Sequence, residues 1–297
     1  MSHCYVNQLI HIMWSTGHQQ YSIPPPLKND LHAYITALVK SKNGKVLATG
    51  GSSDHIHLLM LLPQDISLAS LVGHVKAYSS KWIKSRESIV SNFCWQTGYL
   101  AISTQEDKMD NVCAYIRSDN DQHRSKSYSE ELLGLLKQQN IDYNETYFQQ
   151  NSFAKIYVHA IWSTYNRKPY LHDNVRQHLY RKMQDVVTNG RGVVHAIGGI
   201  EDHVHLLLEM PKDKALSDLV REVKTASTHW LKDVDLTTYR DFSWQIGYGA
   251  FSVSLTYVDF VKQYILKQKE HHSKSSFQEE WTALALKRGV LYPSMIH

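Results

Sequence analysis

The sharpest chemistry in this chain lies in two short histidine pairs, His55-Ile56-His57 and His203-Val204-His205. On a β-strand, side chains two apart share a face while the residue between them turns into the core. Each pair would therefore present two imidazoles one strand-step apart. Such a pair can ligate one divalent metal and leave coordination positions open for a substrate oxygen; histidines merely decorating a half-exposed sheet face are the plainer reading. A second constellation is Tyr264 with Gln268, whose i, i+4 spacing sets a phenol and an amide on one helical face. A phenol with a pKa of about 10 needs a base or a cation before it acts as a nucleophile. A metal held by the histidines could polarise a phosphate and offset the developing charge, with Gln268 as a third oxygen ligand. Tyr115 and Asp119 stand in the equivalent places earlier in the chain, a carboxylate replacing the amide. A tyrosine on an amphipathic helix taken alone is more often packing.

Basic side chains form the third feature: Lys76, Lys84, Arg221, Lys224 and Lys232, interleaved with Trp14/Trp162, Trp82/Trp230 and Trp95/Trp244. Together they could line a charged groove with stacking surfaces for single-stranded nucleic acid. The competing reading is a solvated helix face over a tryptophan-containing core, with Trp82 and Trp230 continuing an apolar stripe. Tyr99 and Tyr248 sit in WQ-x-GY segments that read as structural turns, and His271-His272 as an exposed helix end within reach of phosphate. No phosphate-binding loop, dinucleotide fingerprint, zinc-finger spacing or serine-hydrolase elbow is present.

The elements that position these residues occur twice. Displaced by 148 residues, GGSSDHIHLLMLLP (50–63) lies on GGIEDHVHLLLEMP (198–211), and 17 of the 35 positions in 50–84 are identical. HIMWST (11–16) matches HAIWST (159–164), and beyond Lys232 the offset becomes 149, aligning FCWQTGYLAIS with FSWQIGYGAFS. A fixed long period marks a duplicated domain. The expected boundaries are 1–143 and 150–297, with a polar Gln/Asn-rich junction around 138–152. Each copy reads as a strand (5–14; 156–162), a helix (27–39; 174–187) and two strands with glycines between them (45–50 and 55–62; 193–198 and 203–210). An amphipathic helix follows from Leu68 or Leu216, then a strand (95–103; 244–252), a helix (107–120; 256–271) and a last helix (129–138; 277–288). The order β-α-β-β-α-β-α-α predicts an α+β, ferredoxin-like architecture, an antiparallel sheet with helices on one face.

Composition narrows the class without choosing the function. The 297 residues are 42% hydrophobic and 20% charged, as in a globular protein rather than a disordered or fibrous one. The formal charge is +4, carried by residues 149–297, a balance compatible with nucleic acid. No apolar run reaches the roughly 18 residues of a membrane span, and the N-terminal residues lack the pattern of a signal peptide. Cys4, Cys94 and Cys113 are odd in number and show no CxxC spacing, as expected of free thiols. A cytoplasmic, nucleoid-associated protein is the expectation.

Several of these segments together resemble the single-tyrosine HUH transposases of small insertion sequences and their REP-associated relatives. WST after the first strand, EDHVHLLLEMP, LVREVKTASTHWLK, FSWQIGYGAFSVS, and VKQYILKQKEHH with FQEE beyond carry the likeness through residues 155–290. Residues 5–139 carry an eroded version, with Leu100 for Gly249 and Asp119 for Gln268. The resemblance implies two tandem HUH domains and cleavage of single-stranded DNA beside a hairpin. It implies attack by Tyr264 or Tyr115 to give a 5′-phosphotyrosine, and Mg²⁺ or Mn²⁺ on His203, His205 and Gln268, or on His55, His57 and Asp119. It also suggests a monomer acting as an intramolecular pseudo-dimer. Its centres would either be crossed, His55/His57 served by Tyr264, or complete within each copy. A non-catalytic hairpin- or single-strand-binding protein is the alternative, and a nuclease without a covalent adduct a third case.

Overall fold

The computed structural model describes residues 4–17, 22–86, 92–118, 128–138, 141, 151–273 and 276–287. It falls into two units, residues 9–155 and residues 156–297 with 1–8. In the first-copy unit the strands are β2 (Leu9–Ser15), β3 (Lys45–Gly51), β4 (His55–Leu61), β5 (Leu100–Ser103) and β6 (Phe153–Lys155), with helices α1 (Lys28–Lys40), α2 (Leu68–Arg86), α3 (Met109–Arg117) and α4 (Tyr128–Gln138). The second-copy unit contains β1 (Tyr5–Asn7), β7 (Tyr157–Ser163), β8 (Val193–Gly199), β9 (His203–Glu209) and β10 (Gly249–Val253). Its helices are α5 (Asp173–Asn189), α6 (Leu216–Val234), the short α7 (Leu236–Tyr239), α8 (Val258–Leu266), α9 (Gln268–His271) and α10 (Phe277–Lys287). Both sheets have the same order, β3-β4-β2-β5-β6 and β8-β9-β7-β10-β1. The first four strands of each are antiparallel in the ferredoxin-like arrangement, and the fifth is parallel to its neighbour.

That fifth strand departs from the sequence pattern. The expected single strand over 5–14 is two, because Tyr5–Asn7 pairs with β10 in the second-copy sheet while Leu9–Ser15 is the central strand of the first. Phe153–Lys155 likewise pairs with β5, its Phe153 N–H donating to the Tyr99 carbonyl at 2.8 Å. The strand expected over 95–103 shortens to Leu100–Ser103, Trp95 keeping one isolated bridge to Thr16. A lysine takes the carbonyls of the intervening loop, so they are unavailable to a ladder. Lys76 Nζ donates to the Thr97 and Gly98 oxygens at 3.2 and 2.8 Å, and Lys224 to those of Gln245 and Gly247. The helix expected over 256–271 breaks at Lys267. The residue added between the copies falls near α7, which Asp235 caps by accepting from Thr237 N and Thr238 N.

Burial follows the strand alternation and covers both sheet faces, where the pattern anticipated helices on one. All seven positions of β2 and of β7 are buried, and each fully buried aliphatic contributes about 1.5–3 kcal/mol relative to exposure. The face bearing Trp14 and its cross-strand partner Ile56 meets α2, where the Trp95 indole N–H donates to Ser79 Oγ at 2.9 Å and its ring lies edge-on to Trp14. The opposite face, carrying His57 and Leu59, is covered by α3 through Cys113 and Ile116 and by α4 through Leu132 and Leu136. Trp82 and Trp230 are half-buried rather than core. Among the described residues no helix is long and apolar enough to cross a membrane, and the three cysteines are free.

Candidate metal and nucleophile centre

In the second-copy unit, strand alternation sends Val204 into the core and turns His203 and His205 together toward α8, α9 and α10. Neighbours fix both rings. His203 Nδ1 lies 2.7 Å from Asp202 Oδ1, and His205 Nδ1 lies 2.9 Å from His159 Nε2 on β7. An ionised carboxylate only accepts, so the His203 proton sits on Nδ1 and the lone pair is at Nε2. Burial pushes the Asp202 pKa up, but the His203 hydrogen bond and charge, with Arg167, outweigh it and hold the carboxyl below its ordinary value. Burial lowers the pKa of His203, favouring neutral imidazole.

The tyrosine helix reaches this face because a glycine lets it. A Cβ on Gly198 would stand 2.1 Å from the Ile265 carbonyl oxygen, and one on Gly50 would stand 2.0 Å from that of Ile116. Only a residue without a side chain admits helix backbone so close to the strand. Tyr264, next to Ile265, is thereby placed with its ring 6.0 Å from that of His205, and Tyr115 with its ring 5.6 Å from that of His57. One turn on, Gln268 Oε1 is 3.4 Å from His203 Nε2.

Glu280, on α10, joins these groups. Its Oε1 accepts from the Tyr264 hydroxyl and from Gln268 Nε2, the latter at 2.9 Å. Its Oε2 faces three Nε2 atoms: His272 at 2.9 Å, His205 at 3.4 Å and His203 at 3.7 Å. Burial opposes the charge on Glu280, but hydrogen bonds and the histidines outweigh it and hold the carboxyl far below its usual range. The Tyr264 phenol moves the other way, pushed well above its ordinary value first by burial and then by the Glu280 charge. The first-copy unit repeats the design. His55 Nδ1 is 2.6 Å from Asp54 Oδ1 and His57 Nδ1 is 3.0 Å from His11 Nε2. Glu131 on α4 lies 3.6 Å from His55 Nε2 and 3.1 Å from His57 Nε2, and accepts from the Tyr115 hydroxyl at 2.8 Å. Burial, then the Glu131 charge, raises the Tyr115 pKa.

Acceptors therefore converge. The His203 Nε2 lone pair, the Gln268 amide oxygen and a Glu280 carboxylate oxygen meet in a buried place, where Glu280 Oε2 stands within ion-pair distance of His203, His205 and His272. Such a set fits a cation, and His203, His205, His272 and Glu280, like His55, His57 and Glu131, offer ligand atoms all within 4.8 Å of one another.

Within each unit the tyrosine lies beside the histidine pair of the same copy, Tyr264 with His203 and His205 and Tyr115 with His55 and His57. Asp119 lies outside the described residues. His272, expected at an exposed helix end, has an imidazole only 4% exposed. Of the basic residues, Lys76 and Lys224 turn inward to the loop carbonyls, and burial lowers their pKa values to about 7 and about 8. Lys84 and Arg221 are exposed, Arg221 pairing with Asp218 at 2.7 Å, and Lys232 is half-buried. All five stand on α2 or α6, the helix layer across the sheet from the histidines in the first-copy unit and on its counterpart in the second. Sequence reasoning assigned no role to Glu131, Glu280, His11 or His159. The available signal was their recurrence, SEEL on QEEW at offset 149 and HIMWST on HAIWST at 148.

Among solved structures, the chain is similar to a candidate transposase of Deinococcus radiodurans R1, with 27% identity over 38% of this chain and 91% of that one and a TM-score of 0.32. It is also similar to a REP-associated tyrosine transposase bound to a REP hairpin, with 16% identity over 48% and 88% of the two chains and a TM-score of 0.34. None of the curated proteins matches. The family described as "Transposase IS200 like" matches twice, over residues 4–119 and 152–268, and both matches end before Glu131, His272 and Glu280. Those two matches cover most of the sequence, and the chain belongs to the IS200-like transposase family.

Proposed function

We propose that the chain cleaves and rejoins single-stranded DNA beside a hairpin, using Tyr264 and Tyr115 as nucleophiles and a divalent cation, Mg²⁺ or Mn²⁺ by family resemblance, at each histidine pair. One observation carries this reading: in both copies a tyrosine hydroxyl and a His-x-His pair meet at one carboxylate on the same face of the sheet. His203 and His205, or His55 and His57, would hold the cation, with Gln268 or Asp119 as the oxygen ligand named from sequence. Bound there, a divalent ion would polarise a phosphodiester and offset the charge developing on it.

The protein's own groups do the rest. Asp202 and His159 keep both Nε2 atoms aimed at one point, orientation that metal ligands require. Tyr264 rests as a neutral phenol whose hydrogen bond to Glu280 Oε1 orients its oxygen, and the phenolic proton passes to water as that oxygen attacks. The new bond joins that oxygen to phosphorus; the P–O3′ bond breaks, and its electron pair leaves on O3′, which takes a proton from water. A later 3′-hydroxyl reverses the sequence and recovers the strand, the phosphotyrosine having conserved the bond energy. No triphosphate is consumed.

The test is a covalent-adduct assay on denaturing gels, with hairpin-bearing single-stranded DNA and Mg²⁺ or Mn²⁺. Wild type should become covalently labelled, Tyr264→Phe and Tyr115→Phe should each lose one centre's share, and the double variant should lose all. His203→Ala should remove the share that Tyr264→Phe removes; sharing it with His55→Ala instead would restore the crossed arrangement. Binding without any adduct would favour the non-catalytic alternative.

A further inference from the structure

We propose that His272 and Glu280 complete, with His203 and His205, a three-imidazole, one-carboxylate site that holds a first-row transition ion such as Mn²⁺ or Zn²⁺ in preference to Mg²⁺, and that Glu131 is the corresponding carboxylate beside His55 and His57. The inference deepens the metal-dependent reading of this centre and rests on it. It differs from the sequence expectation in its ligands, since the third donor comes from the last helix rather than from Gln268 or Asp119.

Four observations carry it. The ligand atoms of His203, His205, His272 and Glu280 lie within 4.8 Å of one another in a buried cluster. The carboxylate divides its labour: Oε1 serves Tyr264 and Gln268, while Oε2 faces three imidazole nitrogens at 2.9–3.7 Å. The Gln268 amide nitrogen already donates to Glu280, and among the described residues its oxygen reaches only His203, at 3.4 Å. The first-copy unit, whose sequence has drifted, still brings Glu131 to within 3.6 Å of both histidines. Repetition in two diverged copies argues against a chance ion pair. His123 aligns with His272 at the 149-residue offset and lies outside the described residues.

The donor set decides the metal class. Mg²⁺ seeks six oxygens in a near-ideal octahedron and keeps several waters. Three imidazoles and one carboxylate suit Mn²⁺ or Zn²⁺, with Zn²⁺ the tighter by the usual order. Asp202, bonded to His203 Nδ1, leaves the opposite nitrogen as a lone pair facing acceptors, which a metal ion satisfies. Glu280 would then link metal and nucleophile, one oxygen on each.

The experiment reads metal binding without DNA. Full-length chain, stripped with chelator, is titrated with Mn²⁺ and followed by the loss of the free-ion EPR signal. About two ions per chain should bind, and a roughly tenfold excess of Mg²⁺ should leave them in place. Glu280→Gln and His272→Ala should each weaken one of the two sites by at least about tenfold, the other serving as an internal control. Pulsed EPR of Mn²⁺-loaded wild type should show nitrogen couplings from more than two imidazoles, which keeps the proposal testable if a variant fails to fold. Unchanged binding in both variants, couplings from only two imidazoles, or displacement by equimolar Mg²⁺ would overturn it. Unchanged Mn²⁺ binding in Glu280→Gln, with wild type still forming the adduct, would sink the ligand assignment alone. Mn²⁺ bound as expected with no adduct in wild type would sink the strand-transfer reading alone.

Discussion

Each imidazole of the two His-x-His pairs is held by a partner on its Nδ1, Asp202 and His159 in the second copy and Asp54 and His11 in the first. Removing the carboxylate in Asp202→Ala frees the His203 ring to rotate and erases its tautomer preference. Mn²⁺ affinity at that centre should fall about 10–100-fold while far-UV circular dichroism stays unchanged; equal affinity would mean that packing alone orients the ring. The histidine pairs and tyrosines were legible in sequence because strand and helix periods put each on a definite face. Glu131 and Glu280 were not, since they lie 74 and 75 residues beyond His57 and His205 and only the folded sheet brings them back. Lys76 and Lys224 have a second use that the sequence did not reveal. Their charge suggested phosphate contacts, but each ammonium is used to tie down a loop.

Among the elements, the closing helix of each copy packs on the sheet through a matched exchange of volume. A Cβ on Gly249 would stand 2.3 Å from the Trp281 ring, so the indole occupies the space of a side chain on β10. In the first copy Leu100 stands at the strand position and Leu132 at the helix position, both buried in one cluster. The apparent erosion of Gly249 to Leu100 is thus compensated one layer away. Gly249→Leu alone should destabilise the chain by about 1–3 kcal/mol through overpacking, and Trp281→Leu alone by opening a cavity. The double variant should recover much of both losses in a denaturant-unfolding cycle; strict additivity would show that the two positions do not share the space. The repeat offset exposed this pair of differences, but only the packing shows that they belong together.

At the scale of the whole molecule, the repeat in sequence is not the repeat in structure. The second-copy sheet takes its edge strand from residues 5–7, and the first-copy sheet takes its own from residues 153–155. The sequence pattern merged residues 5–7 into the strand over 5–14 and read no strand over 153–155, because edge pairing of three residues leaves no mark in a hydrophobic pattern. Deleting residues 1–8 should therefore raise hydrogen exchange in Gly249–Val253 and leave Leu100–Ser103 protected. Equal protection in both would mean that Tyr5–Asn7 is dispensable to its sheet.

In the proposed function each copy supplies its own tyrosine to its own histidine pair for strand transfer. Peptide mass spectrometry of chain trapped with hairpin-bearing single-stranded DNA and Mn²⁺ measures this most directly, in wild type and in His203→Ala/His205→Ala. Wild type should carry nucleotide on Tyr264 and on Tyr115, and the double histidine variant on Tyr115 alone. Nucleotide persisting on Tyr264 and vanishing from Tyr115 in that variant, or no modified tyrosine in wild type, would contradict the account.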